Sequence, residues 1–102
     1  MELNQQAEII QRLRSAVGHL HAVLEMAESG RPCEDVLYQL NAVQSALRKV
    51  GTKIICCEAQ WVRENILNSQ SFQQTSADLH RLQSLYGIYV QHFNQAQEVN
   101  ND

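Results

Sequence analysis

Three cysteines are the side chains of this 102-residue chain that could do chemistry most readily. Cys56 and Cys57 are adjacent in the stretch TKIICCEAQW, and Cys33 follows the only proline. Reduced thiols bind soft metal ions, react with oxidants, or pack in a core like small apolar side chains. Neighbouring residues of a helix point about 100° apart, so Cys56 and Cys57 cannot share a face. We expect Cys57 on the apolar seam of its helix and Cys56 in contact with solvent.

The position of Cys33 combines two opposing influences. It is predicted to be the second residue of a helix, where free backbone N–H groups and the helix dipole stabilise a thiolate. Glu34 and Asp35 lie in the same first turn and act against the thiolate by like-charge repulsion. The residues alone leave open whether Cys33 is a reactive thiol or a buried, inert one.

Other motifs of catalysis and ligand binding are absent from the sequence. It has no glycine-rich phosphate loop, no Cys-x-x-Cys pair and no His-Glu-x-x-His motif. His19 and His21 are two residues apart and would point in different directions on a helix, while His80 and His92 stand alone. We therefore predict that the chain is not an enzyme.

Length and composition favour a single helical domain, residues 1–102, that associates with other copies. A chain of this size is near the lower limit for burying a sufficient core alone. No apolar run approaches the roughly 20 residues of a membrane span, and MELNQQAEII lacks the basic flank and apolar core of a secretory signal. We therefore expect a cytoplasmic protein with no membrane partner and with reduced cysteines. The formal net charge of −3 does not indicate nucleic-acid binding, but seven of the eight Lys and Arg residues fall between positions 12 and 63.

Apolar residues recur at helical spacing through most of the chain, and no stretch alternates like a strand, so we predict an all-α fold. A first helix over about 4–29 carries the apolar seam Ile10, Leu13, Val17, Leu20, Leu24 and Ala27, widened by Ile9, Ala16 and Val23. Gly30 is expected in the left-handed position past its end, and Pro32 in the first turn of the next helix. Such a tight connection favours an antiparallel hairpin.

A second helix over about 32–67 has the longest apolar seam: Cys33, Val36, Leu40, Val43, Leu47, Val50, Ile54, Cys57 and Trp61. At 1.5 Å per residue this seam runs roughly 40 Å, and only another copy of the hairpin is long enough to cover it. The polar stretch NSQSFQQTSAD predicts a break. A third helix over about 76–95 follows, before a fraying tail, and its predicted apolar face holds Leu79, Leu82, Tyr86, Tyr89, Val90 and Phe93.

Four pieces of the sequence resemble one known family. They are RLR at 12–14, Gly18, the cysteine within RPCEDVL, and QLNAVQSAL, of which the last two are the most specific. The family is that of small bacterial metal-sensing repressors, which includes the copper-sensing operon repressor CsoR and members that respond to nickel and cobalt or to formaldehyde. The resemblance implies a three-helix protomer whose long antiparallel hairpins pair into a four-helix bundle, with dimers associating into tetramers. It also implies binding to operator DNA until an effector binds.

The resemblance further implies a ligand set for a soft metal ion such as Cu(I). In copper-sensing members, a cysteine at the start of the second helix joins a histidine and a second cysteine from the partner protomer. Cys33 matches the first ligand, but Glu58 and Val62 stand at the other two positions. The start MELNQQ also lacks the N-terminal histidine of nickel-type members and the N-terminal proline of formaldehyde-type members.

The implied metal site of this chain is therefore incomplete. Because the hairpins of two protomers would run antiparallel, we expect Cys33 of one copy to approach Cys57 of the other, with Glu58 and Cys56 as further candidate ligands. The leading hypothesis is a repressor whose operator affinity is lowered by an effector, of the Cu(I) type by family, at Cys33. Persulfide-responsive members of the family use two cysteines, so a thiol switch responding to persulfide or oxidant is one alternative. A helical oligomerisation module that has lost sensing is the other.

A basic surface on the first two helices is the DNA-binding face that the resemblance implies. Its predicted members are Arg12, Arg14, Arg48, Lys49 and Lys53, with Arg63 as a further candidate. A tetramer would repeat this surface, so phosphate contacts would add and binding would weaken steeply with salt. Ser15 stands where the family carries another basic residue, which predicts weaker binding or help from DNA shape. The alternative is an ordinary solvated face.

Overall fold

A computed structural model describes residues 1–68 and 71–101, with side chains through residue 91. It consists of three helices: α1, Leu3–Glu28; α2, Cys33–Leu67; and α3, Phe72–Asn101. The described residues contain no strand, which confirms the predicted all-α fold. Within those ranges, none of the helices has an apolar stretch long enough to cross a bilayer. His92 and Phe93, two residues considered above, lie outside the described side chains.

The turn between α1 and α2 ends the first helix as Gly30 predicts. Gly30 has a backbone φ of 73°, in the left-handed region that costs a residue with a Cβ roughly 1–2 kcal/mol. Its N–H donates to the carbonyl of Ala27 at 3.2 Å, and the N–H of Arg31 donates to the carbonyl of Met26 at 3.0 Å. This pair of bonds is a Schellman motif, which satisfies two of the last carbonyl groups of α1 and reverses the chain.

The bounds of α3 differ from the predicted 76–95. It begins at Phe72, because the hydroxyl of Ser71 accepts the N–H of Gln74 at 3.1 Å and caps the helix earlier than expected. Its backbone is helical to Asn101, so the expectation of a fraying tail from about 95 is wrong for the described backbone. No glycine or proline follows Gly87 to end the helix sooner.

The chain forms two compact units, residues 1–54 and 55–102. In the first unit, two links join α1 to the first part of α2. Glu8, near the start of α1, pairs with Lys53, and His19, further along, hydrogen-bonds to Gln39 at 2.8 Å. Because later residues of α1 meet earlier residues of α2, the two helices form an antiparallel hairpin. That residues 1–102 act as one domain stays a prediction.

The buried face of this hairpin repeats every seven residues. On α1 the buried side chains are Ile9, Ala16 and Val23, and on α2 they are Val43 and Val50. Seven residues are nearly two helical turns, so each set lies on one side of its helix. These are small or β-branched side chains, and a hairpin that buries them keeps its two helices close together.

The apolar seam predicted for the first helix lies mostly on a different face. Its five large members are exposed in the single chain, Val17 by 68%, and we call them the α1 stripe: Ile10, Leu13, Val17, Leu20 and Leu24. The three residues expected only to widen that seam form the buried face instead. Leu37 and Leu47 of α2 are exposed as well. An apolar pattern does not tell which of two adjacent faces meets the chain's own second helix.

The second unit contains the rest of α2 and α3. Its buried residues are Cys57 and Val62 of α2 and Asp78 of α3, whose carboxylate accepts from the Gln74 side chain at 3.0 Å. Half-buried aliphatic and aromatic residues of α3 are Leu82, Leu85, Tyr89 and Val90. Leu79 and Tyr86, which were expected on the apolar face, are exposed. Which face of a helix is buried depends on the residues that pack against it, and the apolar pattern of α3 does not specify those residues.

Candidate functional site

Cys33 is the first residue of α2, one position nearer the helix start than predicted. The carbonyl of Pro32 accepts the N–H of Val36 at 3.2 Å, which makes Pro32 the N-cap. The Cys33 thiol is exposed in the single chain, so the prediction of a buried thiol is wrong here, while its reactivity stays a prediction. Asp35, one of the two acids expected to oppose a thiolate, is engaged by Arg31 at 3.3 Å. Metal ions and small oxidants can therefore reach this thiol at a helix N-terminus.

The adjacent thiols on α2 have different surroundings, as their positions on the helix predict. Cys56 is exposed, whereas Cys57 keeps only 5% of its surface accessible. This confirms the expectation that Cys57 lies on the apolar seam and Cys56 faces solvent. In a single chain, Cys56 is thus open to a reagent, and Cys57 packs as a small apolar side chain.

Glu58, at the position where copper-sensing members of the family carry histidine, is already engaged within the chain. The side chain of Arg81 from α3 approaches it, with Arg81 Nε 3.4 Å from Glu58 Oε1. The Glu58 side chain is 13% exposed and that of Arg81 is 70% exposed, so a largely buried carboxylate pairs with an arginine that is mostly in solvent. Sequence reasoning missed Arg81, although it is the one Lys or Arg residue outside positions 12–63.

Val62, at the remaining ligand position of the copper-sensing members, is 2% exposed and offers no donor atom. Of the three positions, only Cys33 therefore presents a free soft donor. Over the part of the chain that the structure describes, no group of three or more His, Cys, Asp or Glu side chains is placed to hold a metal ion. Cu(I) prefers thiolate and imidazole ligands, so this donor set does not fit the copper site of the family.

A groove of about 690 Å³ lies between α1 and α2 in the first unit. Two of the predicted DNA-binding cations, Arg12 and Lys49, line it, and neither Arg14 nor Arg48 does. Arg63 belongs to the second unit. Most of the remaining wall is made of small side chains: Ser15, Ala16, Ala42, Ser45 and Ala46. Small side chains from both helices therefore leave the space of the groove unfilled.

Glu8 lines the same groove and links the two helices electrostatically. Its Oε1 lies 3.0 Å from Lys53 Nζ and 3.2 Å from Arg12 Nη2. Hydrogen bonds from Lys53 first and Arg12 second hold the pKa of the Glu8 carboxyl below its ordinary value of 4.5. Two of the five predicted DNA-binding cations therefore already contact a carboxylate of the same chain, which sequence reasoning did not foresee.

Fold and residues together define a class of protein. The family of metal-sensitive transcriptional repressors matches residues 5–86, and the chain belongs to that family. This confirms the resemblance seen in RPCEDVL and QLNAVQSAL. Because the family consists of repressors rather than enzymes, the prediction that the chain is not an enzyme is confirmed as well.

Copper-sensing repressors are among the relatives that this chain resembles. It is 48% identical to the copper-sensing transcriptional repressor CsoR of Mycobacterium ulcerans over 42 residues, which are 41% of this chain and 36% of that protein. It is 28% identical to the CsoR of Bacillus subtilis over 72 residues, which are 71% of each chain. The first alignment therefore spans about a third of its relative. No solved structure matches this chain.

Proposed function

We propose that this chain is an oligomeric, cytoplasmic repressor that binds operator DNA and releases it when an effector acts at Cys33 together with residues of a second protomer. One observation carries the proposal: in a member of a repressor family, the thiol of Cys33 is exposed at the first residue of the long helix α2. A ligand that binds two conformations unequally shifts their populations. The effector therefore acts by favouring the conformation with lower operator affinity.

The α1 stripe supports association between copies. It is a continuous row of five large apolar side chains, with Leu37 and Leu47 of α2 also exposed. Exposed apolar rows of this length are uncommon on monomers and typical of interfaces. A second hairpin laid antiparallel on it would give a four-helix bundle, and two such dimers a tetramer. In that arrangement Cys33 of one copy approaches the Cys57 region of its partner.

The basic residues of the hairpin support operator binding. Arg12 and Lys49 line the groove, and no ion pair within the described residues occupies Arg14, Arg48 or Lys49. Each phosphate neutralised by such a cation releases counterions, which gives affinity that falls steeply with salt. An oligomer repeats the surface along the duplex, so modest contacts from each protomer add.

The DNA-binding part of the proposal is tested with the promoter region upstream of the chain's own gene. Fluorescence anisotropy of a labelled duplex should show saturable binding at low salt, and log Kd should rise linearly with log salt concentration. A scrambled duplex of equal length and composition is the control. Absence of binding at low salt would remove the repressor function and leave an oligomerisation module.

The same fold supports a second candidate function, a thiol switch that responds to reactive sulfur. The observation that favours it is the state of the other two ligand positions: Glu58 contacts Arg81, and Val62 is buried and aliphatic. The thiolate of Cys33 would attack one sulfur of a polysulfide, forming a new S–S bond while the rest leaves as a shorter polysulfide or sulfide anion. A second thiol of the partner protomer would then displace the added sulfur chain and link the two copies.

Two measurements separate metal from sulfur as the effector. Competition with a Cu(I) chelator measures whether the protein binds one Cu(I) per protomer through Cys33. Mass spectrometry after polysulfide treatment measures added sulfur on Cys33 and links to Cys56 or Cys57. Copper binding that is lost in Cys33→Ser would favour the Cu(I) effector of the family. Added sulfur that releases DNA, without measurable copper affinity, would favour the thiol switch.

A further inference from the structure

Glu8 is an acidic side chain among the cations predicted to face DNA. Its Oε1 accepts hydrogen bonds from Arg12 Nε at 3.3 Å and Nη2 at 3.2 Å, and it lies 3.0 Å from Lys53 Nζ. The carboxylate thus contacts a cation on its own helix and another on α2. Among the residues that the structure describes, Glu8 is the one acidic residue that lines the groove. Whatever anion the groove receives must share Arg12 with this carboxylate.

The cations of the hairpin therefore differ in availability. Lys53, with a side chain 29% exposed, and Arg12, with a side chain 48% exposed, face a carboxylate of their own chain. Lys49 lines the same groove, and no ion pair occupies it within the described residues. A DNA phosphate that approached Arg12 or Lys53 would have to displace Glu8 or leave those two cations unused.

We propose that Glu8 is an affinity-determining residue: an internal anion that competes with the DNA backbone for Arg12 and Lys53 and so limits how many phosphates each hairpin neutralises. This inference rests on the proposed function. Competition by Glu8 keeps the operator affinity low enough for an effector to release the DNA. Removing the carboxylate frees two cations at once, because both share the oxygen Oε1.

The experiment compares Glu8→Gln with Glu25→Gln in anisotropy titrations over a range of salt. Both variants remove one negative charge from α1, but Glu25 faces His21 and lies outside the groove. Glu8→Gln should lower Kd about threefold or more and steepen the slope of log K against log salt by about 1.8 per contacting hairpin, since each added phosphate contributes about 0.9. Glu25→Gln should leave the slope unchanged.

A second pair of variants decides the matter even if Glu8→Gln alters the fold. Lys53→Gln and Lys49→Gln each remove one cation from α2. If Glu8 withholds Lys53 from DNA, then Lys53→Gln weakens binding clearly less than Lys49→Gln does. Equal slopes for the two glutamate variants, or equal losses for the two lysine variants, would overturn the inference. Failure of the unmodified protein to bind DNA would instead overturn the proposed function.

Discussion

The start of α2 and its later part differ in the side chains at the three ligand positions that the family resemblance implies. At the start, Cys33 is exposed in the first helical turn, available to a metal ion or an oxidant. In the second unit, the position of the family's histidine is a glutamate that contacts Arg81, and the other ligand position is the buried Val62. The first position therefore offers an exposed thiol, whereas the other two hold an ion-paired carboxylate and a buried aliphatic side chain.

The resemblance implies three ligand positions, and side chains without a soft donor stand at two of them. A metal site needs every donor at once, whereas a fold tolerates the exchange of a donor for a side chain of similar volume. Of those three positions, Cys33 is the one with an exposed thiol. We propose that a second copy completes the site, and each part of that proposal can be tested.

The largest effect is expected from breaking the contact between copies. Leu20→Glu places a charge in the middle of the α1 stripe, and a twofold dimer carries the change twice. Each buried leucine contributes about 1.5–3 kcal/mol, so the dimer Kd should rise roughly 100- to 10,000-fold. Sedimentation velocity measures it. His21→Glu, on an adjacent exposed position, is the control, and an unchanged dimer in Leu20→Glu would show that the stripe is not the interface.

The copper site that the resemblance implies can be completed by introducing donors at positions 58 and 62. The double variant Glu58→His, Val62→Cys should bind Cu(I) about a hundredfold more tightly than the unmodified protein or more, since even outer partners of a metal ligand are worth 10–100-fold in affinity. Chelator competition measures the gain. Glu58→Gln, Val62→Ala removes the same two side chains without adding donors. If both double variants bind copper alike, the absence of these two donors does not limit the copper affinity.

A smaller effect is expected from the ion pair itself. Arg81→Gln releases Glu58, but an arginine that is 70% exposed is well screened by water, so the free energy of unfolding should fall by less than about 1 kcal/mol. Urea denaturation measures the change, with Arg63→Gln as a control for the loss of charge. A loss of several kcal/mol would mean that the pair is an essential part of the second unit's packing.

The smallest expected effect is the pH dependence of stability that comes from Glu8 and its two cations in the first unit. The pKa of Glu8 is below its ordinary value of 4.5, so the link stabilises the fold above about pH 4.5 and is lost as pH falls through the lowered value. The Glu8→Gln variant lacks this carboxyl, so its stability should not depend on pH in this way. Urea midpoints of the two proteins should therefore converge between pH 7 and pH 3. Parallel curves over this range would show that the link contributes nothing to stability.

Much of the fold could be predicted from local rules. Gly30 marks a left-handed turn because only glycine adopts it without strain, and the neighbours Cys56 and Cys57 differ in burial because helical geometry turns them apart. The contacts within the candidate site were harder to predict from the sequence. Arg81 meets Glu58 only because α3 packs beside α2, and Glu8 meets Lys53 only because the hairpin closes. Contacts between residues distant in sequence leave no local pattern, and neither does the choice of which apolar face of α1 is buried.

The central claim is that an effector acting at Cys33 lowers operator affinity, and the most direct measurement is DNA release in a cysteine variant. Anisotropy of the operator complex is followed while Cu(I) or polysulfide is added to the unmodified protein, to Cys33→Ser, and to Cys56→Ser as a control with another exposed thiol. We predict that at least one effector releases DNA from the unmodified protein and from Cys56→Ser, while Cys33→Ser binds DNA normally and retains it. Release from Cys33→Ser at the same effector concentration would contradict the claim.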